Sequence, residues 1–419
     1  MIRPRQRATI SVRLIGSQTD HRWRAPLLAE GFAVPAGGPA ECALADLRGA
    51  ENLDTALAEA RRIALPLPLC VVLSLDEPLP REGHRDVVLV RLDRDRTEPL
   101  AAAIRSSVAA MHEAHALSVR SRALAACGLP LGSIHWPDLD APAVMLAEPD
   151  RDLLPILKGL PCEKLVTPLS SSHTLRLLEN QNAGALIIHL GRGNEHRLPV
   201  LKLIRRQSDL AELPVAVVCE EWTEELTASW LQHGADLLGR PSELPRLLET
   251  LQAGTSRYTV RQAVTQSLTN SVVTDEGHPS PIAGQRLFDQ VVAEHRALGD
   301  RMAFGVIELH PEGGGSEHDV SEAGVYMAMA LTGANLICRP RPSVFVVAMP
   351  YADKYYAGRT IRTLKTLIED LKFGQEPDSV LISAKSAAID GTGLTPKEAI
   401  SELRTTLLQQ VVDETLALA

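Results

Sequence analysis

The residues that could do chemistry gather around one apolar hairpin in the last quarter of the chain. Cys338-Arg339-Pro340-Arg341-Pro342-Ser343-Val344-Phe345-Val346-Val347-Ala348-Met349-Pro350 places apolar arms, Asn335 to Cys338 and Val344 to Met349, on either side of a tight basic turn. That is the pattern of a β-hairpin, and the unbroken apolar second arm predicts a strand buried on both faces. Upstream, Glu308, His310, Glu312, Glu317, His318 and Asp319 surround a loop of three glycines, Gly313 to Gly315. Carboxylates and imidazoles together can hold a divalent metal, but this spacing fits no zinc or calcium pattern, so no metal site is expected. The glycines are not followed by Gly-Lys-Ser/Thr and form no phosphate loop. Downstream, Arg359, Arg362 and Lys365 recur at helical spacing. The planar fork of arginine suits guanine edges and phosphates, although such a stripe is more often a solvated helix face.

Composition sets the frame for these residues. At 419 residues the chain exceeds one ordinary domain and suggests roughly three. Hydrophobic residues make up 45% and charged residues 23%, a globular balance, while aromatics at 3% leave the cores to Leu, Val, Ile and Ala. A net charge of -9 argues against a dedicated nucleic-acid binder. The basic start (Arg3, Arg5, Arg7, Arg13, Arg22, Arg24) reads as a solvated arm and first strand, with a docking patch as the sharper alternative. The longest apolar run, Ile63 to Leu75, holds two prolines and is shorter than the ~20 residues that span a bilayer. With no signal-peptide pattern, the expected location is cytoplasmic without membrane insertion. Six scattered cysteines lack any Cys-x-x-Cys pair and read as small buried apolar residues.

The elements that must position these residues alternate in type. Strands are expected at Ile10 to Ile15, Cys42 to Leu47, Leu69 to Leu75 and Val87 to Leu92, with helices at Trp23 to Gly31 and Leu53 to Ile63 and a long one from Pro99. Strands and helices in alternation imply parallel sheets covered on both faces. After a Gly/Pro-rich linker the pattern repeats, with strands at Ala143 to Ala147, Lys164 to Pro168, Ala185 to Leu190, Val215 to Cys219 and Asp236 to Leu238. Leu244, Leu247, Leu248, Leu251, Val260, Val264 and Leu268 then predict a connecting helix. The last region reads as a strand (Phe304 to Leu309), a helix (Val320 to Leu331), the hairpin, a helix (Asp353 to Leu371), a strand (Val380 to Ser383) and a terminal helix from Thr395.

The hairpin resembles the signature hairpin of the GGDEF diguanylate cyclase domain, C-R-Y-G-G-D/E-E-F-V-V-x-M-P. Cys338, Arg339, Phe345, Val346, Val347, Met349 and Pro350 match, whereas the five signature positions read Arg341, Pro342, Ser343, Val344 and Phe345. Asp275 stands where that family begins its D-x-L-T-G-L-x-N-R motif, Gln285-Arg286 matches the end, and Thr395-Pro396-Lys397-Glu398-Ala399 resembles its T-P-E-A-L. The two alternating regions resemble response-regulator receiver domains. The whole chain thus resembles degenerate receiver–receiver–GGDEF regulators of the PleD/PopA type. The implied fold is α/β: two receiver-like doubly wound parallel-sheet domains, 1–126 and 143–255, followed by a GGDEF-like α/β domain at 272–419. A linker at 127–142 and a connecting helix at 256–271 join them.

The resemblance also assigns residues. Asp46, Ser74 and Arg91 fall on the phosphoacceptor, Ser/Thr and Lys positions of the first receiver, but Ile15-Gly16-Ser17 replaces the acids that hold Mg²⁺. One carboxylate is weak purchase for that ion, so Asp46 is expected to be inactive. His189 takes the phosphoacceptor position of the second receiver, where an imidazole cannot replace the carboxylate, so it reads as a polar residue at the sheet's carboxyl edge. In the third domain Glu308 holds the first-strand metal position and Glu322 a guanine-contact position, both read as vestigial. The product-site R-x-x-D is replaced by Thr332-Gly333-Ala334-Asn335, leaving Arg339, Arg359 and Arg362 as candidate ligand contacts. The implied function is a non-catalytic adaptor in cyclic di-GMP or two-component signalling, an inactive diguanylate cyclase. It would bind protein partners, protease-adaptor components among them, pair as a homodimer and carry no cofactor, with cyclic di-GMP as the candidate ligand. A residual cyclase and a cyclic di-GMP receptor are the alternatives.

Overall fold

The computed structural model describes residues 10–36, 39–80, 87–92, 96–130, 143–146, 165–168, 170–180, 183–190, 197–207, 210, 212–331, 333–374 and 379–418. The described residues of 9–111 and 136–262 form one compact unit, and those of 112–135 and 263–419 another.

The first unit holds two parallel sheets. In the first, β1 (Val12–Ile15), β2 (Cys42–Asp46), β3 (Leu69–Ser74) and β4 (Val87–Leu92) lie side by side in chain order. A single bridge on the far edge of β1, Ser11 to Ala33, adds Val12 N–H donating to the Ala33 carbonyl at 2.8 Å. Counted as a residual edge strand, it gives the first sheet the order of the second: β6 (Leu165–Val166), β5 (Ala143–Leu146), β7 (Ala185–Leu190), β8 (Val215–Cys219), β9 (Leu237–Gly239). Alternate residues of each strand face opposite layers. In the first sheet Leu44, Val72 and Val90 pack with Trp23 and Leu27 of α1 (Ser17–Ala29) and with Leu100 and Ile104 of α3 (Thr97–Cys127). Ala43, Ala45, Val71 and Leu73 pack with Leu57 and Ala60 of α2 (Leu53–Ala64). This is the doubly wound arrangement expected from the alternation. Helices α4 (Ser171–Asn180), α5 (Leu198–Ile204) and α6 (Glu224–Gln232) belong to the second sheet. The long α7 (Leu244–Asn270) passes Pro214 at Gly254, where a Cβ would stand 3.3 Å from the proline ring.

The second unit is built on an antiparallel sheet ordered β11 (Leu336–Arg341), β12 (Val344–Pro350), β10 (Met302–Pro311), β14 (Val380–Asp390), β13 (Lys372–Phe373). Phe304 and Val306 face α8 (Gln285–Leu298), α11 (Pro396–Leu418) and the end of α3, while Ala303, Ile307 and Leu309 face α9 (Glu317–Ala330) and α10 (Lys354–Glu369). Two features close this core tightly. Gly324 of α9 lets the helix lie on Phe345, whose ring would be 2.4 Å from a Cβ there. Asp275 accepts from Arg286 N–H at 2.9 Å, so the residue that opens the entry motif caps α8.

The elements differ from expectation at their ends. Helix α1 starts at Ser17 rather than Trp23; Ser17 to Arg22 are all polar, so no apolar periodicity marks the start of the helix. Strand β14 runs to Asp390 rather than Ser383, through Ala384-Lys385-Ser386-Ala387-Ala388, whose small side chains give little hydrophobic alternation.

Candidate functional site

The carboxyl ends of β2, β3 and β4 bring Asp46, Ser74 and Arg91 to one edge of the first sheet, as parallel strands require. Asp46 is 2% exposed at its side chain, and its carboxylate is already in use. Arg48 donates through Nε at 2.9 Å and Nη2 at 2.6 Å, Trp23 Nε1 at 3.0 Å and Arg22 Nη1 at 3.4 Å. Burial raises the carboxyl's pKa, but the Arg48 and Trp23 hydrogen bonds outweigh it and hold the group below the ordinary carboxylate range. The residues that replace the Mg²⁺ acids, Gly16 and Ser17, border a cleft of about 540 Å³ with Asp20 and Arg24. Those last two bond to each other at 2.6 Å.

Arg91 has a 1% exposed side chain and turns its guanidinium to the neighbouring domain of the same unit. It donates to the Leu238 carbonyl at 2.9 Å, to both Glu243 oxygens at 3.1 Å, and to the carbonyls of Leu75 and Glu77. Glu243 also accepts from Arg240 N–H at 3.0 Å. The position that the receiver resemblance gives to a phosphate-reading lysine therefore serves a buried interdomain ion pair. Ser74 is tied by Glu77, which accepts its N–H at 2.7 Å. In the second sheet His189 lies in β7, 3% exposed, with its carbonyl accepting from Arg197 at 2.9 Å.

In the third domain the hairpin turns at Pro342-Ser343. Pro340 has no N–H to give the ladder, and pairing is irregular between Cys338 and Arg341. Arg339 closes the turn: both Nε, at 2.7 Å, and Nη2 donate to the Pro342 carbonyl. Its guanidinium carbon lies 5.6 Å from the Phe345 ring centre. Burial pushes the Cys338 thiol far up, so it stays neutral in the core. Glu308 on β10 is opposite Val344 on one side and Lys385 on the other, with His310 Nε2 at 4.0 Å. Glu322 on α9 accepts from Gly374 N–H at 3.3 Å. Asp319, also weighed as a metal ligand, forms a capping box with Ser316, accepting its N–H at 2.7 Å. No group of three His, Cys, Asp or Glu able to hold a metal is found among the described residues.

The candidate arginines separate into two settings. Arg339 is committed to the turn, whereas Arg359 and Arg362 stand exposed on α10. With exposed Tyr355 they follow i, i+4, i+7 spacing, one stripe of the helix. The expected R-x-x-D place is covered in this unit: Arg120 of α3, 2% exposed, donates to the carbonyls of Ala334 at 3.2 Å, Asn335 at 3.5 Å and Leu268. Burial lowers its pKa to about 10. Glu113 of α3 sits where a Cβ on Gly333 would be 3.3 Å away. Sequence reasoning missed Glu243 and Arg120, whose partners are distant in the chain, and Glu77, whose carboxylate accepts both from nearby Ser74 N–H and from Gly49 N–H 28 residues away.

No protein-family model matches the chain, and no curated protein matches it. Solved structures similar to parts of it include the GGDEF domain of DgcB from Caulobacter crescentus in complex with c-di-GMP, 11% identical, covering 32% of this chain and 86% of that one, TM-score 0.26. The phosphorylated cyanobacterial phytochrome response regulator RcpA is 13% identical over 26% of this chain and 89% of its own, TM-score 0.22. The diguanylate cyclase SiaD with its activator SiaC from Pseudomonas aeruginosa is 14% identical over 61% and 89%, TM-score 0.27. These are distant likenesses. No helix among the described residues is long and apolar enough to cross a membrane.

Proposed function

We propose that the chain is a non-catalytic signalling regulator, two receiver-like domains joined to a degenerate GGDEF-like domain, that works as an adaptor by binding protein partners in cyclic di-GMP or two-component signalling. The observation that carries this reading is the hairpin. Its turn offers Arg341, Pro342, Ser343 and Val344 in place of glycines and acids, and Arg339 is spent on the Pro342 carbonyl. Two-metal phosphoryl transfer needs several carboxylates converging on the triphosphate, and Glu308 stands beside Val344 and Lys385 instead. The bound-up Asp46 carboxylate supports the same reading in the first domain. Partners of this adaptor include protease-adaptor components and a second copy of the chain, in the cytoplasm. Purified protein incubated with GTP and Mg²⁺ should give no cyclic di-GMP, and pull-down from native cytoplasm should capture specific proteins. Sustained cyclic di-GMP production would overturn the reading.

The exposed Tyr355, Arg359 and Arg362 stripe favours a second reading, a receptor for cyclic di-GMP, since a ring and two guanidinium forks suit a guanine nucleotide. Calorimetry should then detect binding that Arg359→Ala weakens; tight binding indifferent to that change would place the ligand elsewhere.

A further inference from the structure

One cluster of titratable side chains in the second unit takes no part in the proposed activity. His112 and His115 stand one turn apart on α3, and Tyr351 follows β12. The His112 and Tyr351 rings stack at 4.1 Å and 8°. His115 Nδ1 lies 2.5 Å from the Tyr351 hydroxyl, which is 3.5 Å from Asp300 Oδ2. That same oxygen meets His295 Nδ1 of α8 at 2.7 Å and His115 Nδ1 at 3.8 Å. Tyr351 holds a φ of 62°, a region that side chains other than glycine's rarely adopt. Backbone strain of this kind persists only where its surroundings enforce it. Eight residues further along α3, Arg120 and its neighbours lie over Gly333 to Asn335.

We propose that this half of α3 is a protonation-sensitive strap, clasped to the sheet domain by His112, His115, Tyr351, Asp300 and His295, that covers the turn Gly333–Asn335. Histidine is the side chain that changes charge between about pH 5 and 8. Protonated His115 gives its Nδ1–H to the Tyr351 oxygen, and the phenol proton is then directed to Asp300. Neutral His115 with a bare Nδ1 draws the phenol proton to itself, leaving Asp300 to His295 alone. Burial, and then Asp300, push the phenol's pKa up, so it keeps its proton in either state. The other charges facing the cluster are already engaged: Glu113 with Thr265 at 3.5 Å and Arg122 with Glu294 at 3.2 Å. Arg301 gives its carbonyl to Tyr351 N–H at 2.8 Å. The nearest opposite charge to a cationic His115 is therefore Asp300, and the clasp is tighter with His115 protonated.

Hydrogen exchange on the full chain, corrected for intrinsic rates, tests this at about pH 6 and about pH 8. Amides of 112–127 and 333–335 should be about threefold to tenfold more protected at the lower pH. Tyr351→Phe keeps the ring stack but removes the hydroxyl, and His115→Gln keeps a donor of fixed charge; either should abolish the difference. Equal protection at both pH values in the unmodified chain, or a difference that survives both substitutions, would overturn the proposal. Should Tyr351→Phe fail to fold, half-exposed His115→Gln decides alone.

Discussion

At Asp46 the acid that a phosphoacceptor reading would want is already a structural acceptor for Arg48 and Trp23. Acetyl phosphate with Mg²⁺ should leave the intact mass of the protein unchanged, and stoichiometric phosphate lost in Asp46→Asn would defeat that expectation. The same substitution has a stability consequence with a definite sign. Because the folded pKa is depressed, the stabilisation from the charged form is fully present above the ordinary Asp value of about 3.9 and disappears as pH falls through the folded value. Asp46→Asn should therefore cost about 1.5–3 kcal/mol at neutral pH. The gap to the unmodified protein should close below about pH 4 in urea titrations. Arg91 is the harsher case, since deleting it takes the ion-pair partner from the Glu243 carboxylate and the side-chain donor from several carbonyls. Arg91→Ala should lose about 3–5 kcal/mol, and thermal denaturation that leaves the midpoint unmoved would count against the interdomain ion pair.

Elements carry the next level of argument, and they differ in how plainly the sequence announces them. The hairpin arms were legible because Val344 to Met349 is an unbroken apolar run, and it is buried from Phe345 onward. The second half of β14 was not, since Ala384, Ala387 and Ile389 are buried among Lys385, Ser386 and Ala388 without a clean apolar alternation. Asp46, Ser74 and Arg91 were singled out by the receiver resemblance, but not their partners: Glu243 is 152 residues from Arg91. The clasp left only one trace, two histidines three residues apart on a long helical pattern. What tightens the second unit is equally invisible to periodicity, namely the approach of α9 to β12 at Gly324. Gly324→Ala must push the Phe345 ring from its place and should cost about 1–3 kcal/mol by overpacking. An unchanged denaturation midpoint would mean the helix can shift without loss.

For the molecule as a whole, the proposed absence of catalysis turns on whether a few side chains of the third domain or its whole electrostatic setting would account for it. A turn given glycines and acids would meet a sheet in which Glu308 of β10 pairs with Lys385 of β14, and Glu322 is tied to Gly374. It would also meet Arg120 and Glu113 lying over Gly333 to Asn335. Losing one well-placed electrostatic contact in a transition state costs roughly two to three orders of magnitude in rate, so a site short of several contacts is not rescued by regaining two. The combined change Arg341→Gly, Pro342→Gly, Ser343→Glu and Val344→Glu should consequently leave GTP turnover at background with Mg²⁺ or Mn²⁺. It removes Val344 from the partly buried edge of the core, so folding is checked first by circular dichroism. A folded quadruple variant that makes cyclic di-GMP would show that the turn alone separates this chain from an enzyme, and that the setting around Glu308 was never the obstacle.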